Sequence, residues 1–225
     1  MDRISSFINQ EGKNSIIAAV KAAEEQTSGE IVPMIVSDSS RYPAATFLTA
    51  MALSICAGVM ASFFITRHDG IFHLLESLRL GRMSSLVAFL AVFLPSLPIF
   101  SAIIAAFPVI KKLFLPRSEM TEQVSETAFA SFYRHQLDET AERNGILLFI
   151  SIFERQVKII ADRGINEKVD PGKWDEIAVK LAEGIRRGTP ADAVMEAVRQ
   201  CGEVLARHFP REKGDRDELR NIIVE

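Results

Sequence analysis

From Ala44 to Ile65 the chain reads AATFLTAMALSICAGVMASFFI, and from Met83 to Ile110 it reads MSSLVAFLAVFLPSLPIFSAIIAAFPVI; neither run carries a charge. At 1.5 Å of rise per residue, each is long enough as a helix to cross a hydrocarbon layer of about 30 Å. The pair predicts a transmembrane hairpin over 44–110, with spans at 44–65 and 86–110. Pro95, Pro98 and Pro108 predict a kink or break near the middle of the second span, and Lys111 and Lys112 mark its exit into the headgroups. Between the spans, Ile71, Leu74, Leu75 and Leu78 recur at helical spacing beside Glu76 and Arg79, which predicts a short interfacial helix. Ala50, Ser54 and Gly58, with Ala57 and Ala61, put small side chains on one face of the first span, where the second span can approach closely. The span interiors lack the ionisable side chains that ion paths and proton relays use, so anchoring is the expected role and a transporter or pump is not. A pore-forming oligomer with an apolar lining ranks last among the functions considered.

Working outward, the rest of the chain is polar enough to be soluble. Of 225 residues, 24% are charged and 48% hydrophobic, and the charges lie outside the two runs. That length allows one domain beside a membrane unit. A net charge of −3, with basic residues scattered along the chain, gives no nucleic-acid footprint. Cys56 lies in an apolar run and Cys201 on a predicted helix, so both are expected to be buried free thiols. The opening MDRISSFINQEGK lacks the apolar core of a signal peptide, so insertion is expected to depend on the internal runs.

The soluble part is predicted to be one domain split by the hairpin, with its first part at 1–43, its second at 111–210, and a loose charged tail at 211–225. Ile16, Ile17, Val20 and Ala23 make a helical stripe ending at Thr27-Ser28-Gly29, with the glycine left-handed. Glu30 to Ser37, EIVPMIVS, reads as a strand, and Pro33 argues for an edge or a bulge. One helix and one strand cannot close a core, so partners must come from beyond the insert. A helix from Ser118 to Arg143 is expected to bury Phe129, Phe132, Tyr133, Leu137 and Ala141. ILLFISIF, from Ile146 to Phe153, reads as a strand covered on both faces. Gln156 to Asp162 follows as its hairpin partner, turning at Glu154-Arg155. Asp170-Pro171 and Thr189-Pro190 open two further helices, ended by Gly188 and by Phe209-Pro210.

The segments AVKAAEEQTSGEI, GILLFISIFERQVKIIADRGI and GEVLARHFP together resemble the TPM domain family. That family is named for a thylakoid lumen phosphatase-like group, a photosystem II repair factor and a worm membrane modulator. The likeness covers roughly residues 13 to 210 apart from the hairpin, in the segment order of a bacterial membrane subgroup. It implies an α/β/α sandwich around a small central sheet. It also implies a choice of roles: some members are described as acid phosphatases, others as assembly or repair factors, and calcium or another metal is proposed for a few. Many members carry secretory signals, which this chain's opening lacks.

A metal-assisted phosphatase needs carboxylates converging on hard cations. Glu30, Glu139, Glu154, Asp162, Glu167 and Asp170 are the candidates. Glu30 and Asp162 are expected to form a calcium or magnesium site, because each ends a strand beside a glycine-containing bend where loops converge. Glu154 is expected at the opposite end, and Asp170 as an N-cap. Arg163-Gly164 could cradle a phosphate on a flexible turn. No nucleophile elbow, phosphate loop or zinc helix is present.

The sequence thus predicts a membrane-tethered module for interaction with, or assembly of, other membrane proteins, with a metal-dependent phosphatase as the alternative. Its expected partners are the lipid bilayer and membrane proteins, and its place is the inner (plasma) membrane as a multi-pass protein. Arg67, Arg79 and Arg82 between the spans nearly balance Arg41, Lys111, Lys112 and Arg117 on the domain side. The missing export signal then predicts a cytoplasmic domain.

Overall fold

The structure, a computed structural model, describes residues 3–67, 84–211 and 221–224. In chain order the elements are α1 (Arg3–Phe7), α2 (Gln10–Glu24), β1 (Glu30–Val36), α3 (Pro43–Arg67), α4 (Ser84–Ala106), α5 (Pro108–Phe114), α6 (Arg117–Arg134), β2 (Gly145–Ser151), β3 (Gln156–Ala161), α7 (Arg163–Asn166), α8 (Pro171–Arg186), α9 (Pro190–His208) and β4 (Ile223–Val224). They divide into two compact units, Met1–Ser40 with Arg117–Glu225, and Arg41–Pro116.

The first unit is an α/β/α sandwich on a sheet of order β3-β2-β1-β4. β1 is parallel to β2 and β4, and β2 is antiparallel to β3. Every residue of β1 and β2 is buried, which is why both read as continuous apolar runs instead of alternating ones. One face carries Ile31, Ile35, Ile146, Leu148 and Ile150 against Ile16 and Val20 of α2, Trp174 and Ile177 of α8, and Val198 and Cys201 of α9. The other carries Val32, Met34, Leu147 and Phe149 against Val124, Ala128 and Phe132 of α6. Parallel neighbours require a long crossover. Here that crossover holds the whole second unit as well as α6. It leaves β1 at the β2–β3 turn end of the sheet and enters β2 at the opposite end. Ser39 donates its N–H to Glu154 at 3.1 Å and accepts from Thr127 Oγ1 of α6 at 3.0 Å.

Several details differ from the sequence reading. β1 is an edge over only part of its length. The Glu30 N–H points to β2, bonding Asn144, and the Ile31 N–H points away, to Glu24. Pro33 shares the parity of Ile31, so its nitrogen faces the β4 side, where β4 pairs only with Met34 and Ile35. The loose-tail reading of 211–225 fails at Ile223–Val224, which add β4 to the sheet, a segment too short to show a period. α2 stops at Glu24, and Gly29 does not take a left-handed φ; a Cβ there would sit 2.8 Å from Leu205. α6 ends at Arg134 through a 6→1 bond from the Leu137 N–H to the Phe132 carbonyl, with Gln136 at φ 59°. That left-handed position is usually glycine, so the sequence carried no stop signal. The buried stripe of α6 runs through Met120, Val124, Ala128 and Phe132, so Phe129 and Tyr133, each one position further on, face solvent.

In the second unit, α3 and α4 each contain a stretch apolar and long enough to cross a membrane, Pro43–Phe64 and Ser85–Ala106. They pack antiparallel along the small-residue face. Ala50 and Ser54 are fully buried, a Cβ on Gly58 would lie 2.7 Å from the Phe89 ring, and Ser62 Oγ donates to the Ser85 carbonyl at 2.7 Å. Large side chains such as Phe47, Val59, Phe63, Leu94 and Ile99 point outward, as expected where lipid is the solvent. Cys56 is exposed, not buried as expected, whereas Cys201 is buried. Pro95 and Pro98 stay within α4, and the break falls instead at Phe107-Pro108. The expected interfacial helix within 67–82 lies outside the described residues, apart from Arg67 at the end of α3.

Candidate functional site

Glu30 opens β1 in register with Gly145, and the Asp162 N–H bonds the Gly145 carbonyl at 2.9 Å just past β3. The two carboxylates therefore flank the glycine at one end of the sheet. Alternation puts both on the α6 face, Glu30 in step with Val32 and Met34, Asp162 in step with Ile160. Two strand spacings separate their Cα atoms, about 10 Å. The gap is not open. A Cβ on Gly145 would come within 2.4 Å of the Leu137 carbonyl oxygen, so the main chain after α6 lies over the glycine between the two acids.

Both side chains are buried, Asp162 with 8% of its surface exposed. Asp162 caps α7, its Oδ1 accepting the Arg163 N–H at 2.6 Å, and its buried Oδ2 has no hydrogen-bond donor among the described residues. A carboxylate oxygen taken out of water without a donor is costly, and a hard cation would relieve it. Glu30, Asp162 and the Leu137 carbonyl are all oxygen donors, of the kind calcium and magnesium take. No group of three or more His, Cys, Asp or Glu side chains suited to a metal occurs among the described residues.

The loops at this end are knitted together by Asn144. Asn144 is buried, and its Nδ2 donates to the Ser28 carbonyl at 2.9 Å and to Glu142 Oε2 at 3.2 Å. Ser28 Oγ donates to the same Glu142 oxygen at 2.7 Å, and Thr140 Oγ1 accepts the Asn144 N–H at 3.1 Å. Asn-Gly ahead of an apolar run reads equally as a turn, so the sequence held no signal for this role.

The other candidates do not join the pair. Glu154 sits at the far end of the sheet, accepting from the Ser39 N–H and from Ser151 Oγ. Glu139 accepts from Gln136 on the surface. Asp170 caps α8 through the Gly172 N–H at 2.8 Å. Arg163-Gly164 does not form a phosphate cradle. Arg163 is 86% exposed and bonded to Glu167 at 2.8 Å, which raises its pKa through that bond and its charge. Gly164 is wedged, not flexible: a Cβ would lie 2.7 and 2.8 Å from the carbonyl oxygens of Arg143 and Glu142. Burial pushes the Cys201 thiol up to about 12, which makes it a core side chain and no nucleophile.

Comparison with known proteins adds two likenesses. A family model described as TPM domain matches residues 110–204. The NMR structure of the BA42 protein from the psychrophilic bacterium Bizionia argentinensis has a similar fold, with a TM-score of 0.57 and 19% identity over 97% of this chain and 96% of that one. No curated protein matches the chain.

Proposed function

We propose, for a chain that carries a TPM domain over residues 110–204, that it is a membrane-tethered module which docks on other membrane proteins and holds them in an assembly. The observation that carries this reading is on α6. Phe129 and Tyr133, one helical turn apart, are 49% and 62% exposed, although both are large aromatics on a helix with a well-filled inner face. Exposed aromatics of this kind are what interface centres are made of. α3 and α4 supply the tether, and α6 starts directly after that unit, at Arg117. Placing a photo-crosslinking phenylalanine analogue at Tyr133 in cells is expected to trap a distinct membrane-protein adduct, while the same analogue at exposed Asp175 on α8 traps none. Identical patterns from both positions would defeat the reading.

A metal-dependent phosphatase is the second reading, favoured by the buried Asp162 Oδ2. Calcium or magnesium on Glu30 and Asp162 would stabilise the folded state by mass action, about 2.7 kcal/mol at a hundredfold excess over Kd. Millimolar cation is then expected to raise the melting temperature, and Asp162→Asn to remove the increase. An unchanged melting temperature in the parent protein would leave Asp162 as a helix cap and nothing more.

We further propose that the domain and both termini face the cytoplasm. Cysteines introduced at Ser6 and Ser77 test this with a membrane-impermeant maleimide on intact cells, against a background in which buried Cys201 stays silent. Labelling at Ser77 alone is expected. Labelling at Ser6 alone would invert the topology.

A further inference from the structure

We infer that a second copy of this chain docks on the outer flank of α8, the two helices lying antiparallel about a two-fold axis with Asp175 of each copy facing Arg186 of the other. Asp175, Val179, Ala182 and Arg186 follow one another at spacings of four, three and four residues. At about 100° per residue, all four fall within about 60° of arc, a stripe about 16 Å long on one side of the helix. That side is left uncovered by the fold. α8 buries Trp174, Ile177 and Leu181 in the core, and it meets α9 through Gly184, where a Cβ would lie 2.5 Å from Ala193. Val179 is 58% exposed, and besides Phe129 and Tyr133 of α6 it is the exposed large hydrophobic among the described residues of the first unit. The stripe also walls a cavity of about 600 Å³ that includes Phe7, Val157 and Ile185 in its lining, so a facing apolar side chain has room to enter.

The order of side chains along the stripe selects this occupant. Opposite charges stand at its two ends, with an apolar pair between them. A copy turned end for end brings Arg186 onto Asp175, and the same two-fold axis brings Ala182 onto Val179, because both pairs are centred between residues 180 and 181. One symmetry operation therefore satisfies both charges twice and sets a large side chain against a small one, as a closed isologous contact requires. A parallel copy would oppose like charges instead. Both charges are available for this. Lys173 pairs with Glu176, no ion pair to Asp175 occurs among the described residues, and Arg186 reaches Glu183 only at 3.8 Å. Nor does the helix dipole account for Asp175, which lies beyond the first turn of α8, where that effect has faded.

The test uses the full-length protein in detergent, read by sedimentation equilibrium over a range of concentrations. Asp175→Arg or Arg186→Asp sets like charges against each other at both ends of the pair. Each is expected to weaken the dimer about tenfold, the effect of turning two exposed ion pairs into repulsions. Asp175→Arg together with Arg186→Asp reverses the order of charges in both copies and should restore the parent's association. Asp175 and Arg186 are exposed, so all three variants should melt at the parent's midpoint by Trp174 fluorescence, which separates lost pairing from lost folding. In a Cys56→Ser background, a short bismaleimide should join two chains through Val179→Cys and fail to do so through Glu176→Cys, a quarter turn away from the stripe. The photo-crosslinking analogue at Asp175 removes the carboxylate that this pairing needs, so that position remains a silent control for α6. A protein that stays monomeric at every concentration would overturn the proposal. So would a dimer indifferent to the charge reversals, or single losses that the double variant does not restore.

Discussion

Gly145→Ala is expected to destabilise the soluble unit by about 3 kcal/mol or more, the upper range for forcing atoms into a filled interior. The methyl group would meet the Leu137 carbonyl at 2.4 Å. Neither side can yield easily. Gly145 is held in register between Glu30 and Asp162, and the Leu137 segment is fixed by the bond from its N–H to Phe132. The readout is simple because the chain has one tryptophan, Trp174, which is buried in this unit. Its fluorescence in detergent reports domain unfolding without contribution from the helical pair. At about 2–4 °C per kcal/mol for domains of this size class, the midpoint should fall by roughly 10 °C. Gly164→Ala should behave similarly, since it meets two main-chain carbonyls. A midpoint within a degree or two of the parent would mean that the loop after α6 is not seated on the sheet as described.

The larger effect is expected from removing residues 1–40. Segment 117–225 should then fail to fold, whereas joining Ser40 to Arg117 through a short flexible linker should give a soluble protein with a cooperative transition. Ile16, Val20, Ile31, Val32, Met34, Ile35 and Val36 are all buried. At about 1.5–3 kcal/mol each their loss exceeds 10 kcal/mol, against a typical net stability of about 5–15 kcal/mol. β1 also lies between β2 and β4, so its absence leaves β2 with an open edge and β4 with no partner. Far-UV circular dichroism and urea titration of both chains decide the matter. Cooperative unfolding of 117–225 alone would refute the split core.

Much of the fold could be read from residues that act locally. Uncharged runs of membrane length, strands apolar at every position, and proline after a capping residue at Asp170 and Thr189 each carry their meaning within a few neighbours. Even the insertion point followed from composition, since a helix and a strand without a core require distant partners. Elements defined by contact rather than by sequence were not legible. α6 ends at Arg134 because Leu137 drops into the core and pulls its N–H onto Phe132, and nothing in the local sequence resembles a stop. Ile223–Val224 become a strand only because β1 leaves them a place to pair.

The candidate site divides along the same line. That Glu30 and Asp162 stand at strand ends followed from hydrophobic runs stopping beside TSG and DRG, a property of the sequence by itself. That they flank one glycine on one face was decided by register, which depends on how β1 chooses β2 across the long insert and how β3 folds back. That Asn144 binds the loops, and that the Leu137 carbonyl lies between the two acids, was decided only by tertiary packing. Hydrogen bonds between segments more than a hundred residues apart, such as Asn144 to Ser28, leave no periodicity or spacing in the chain, because what fixes them is the closing of the sheet.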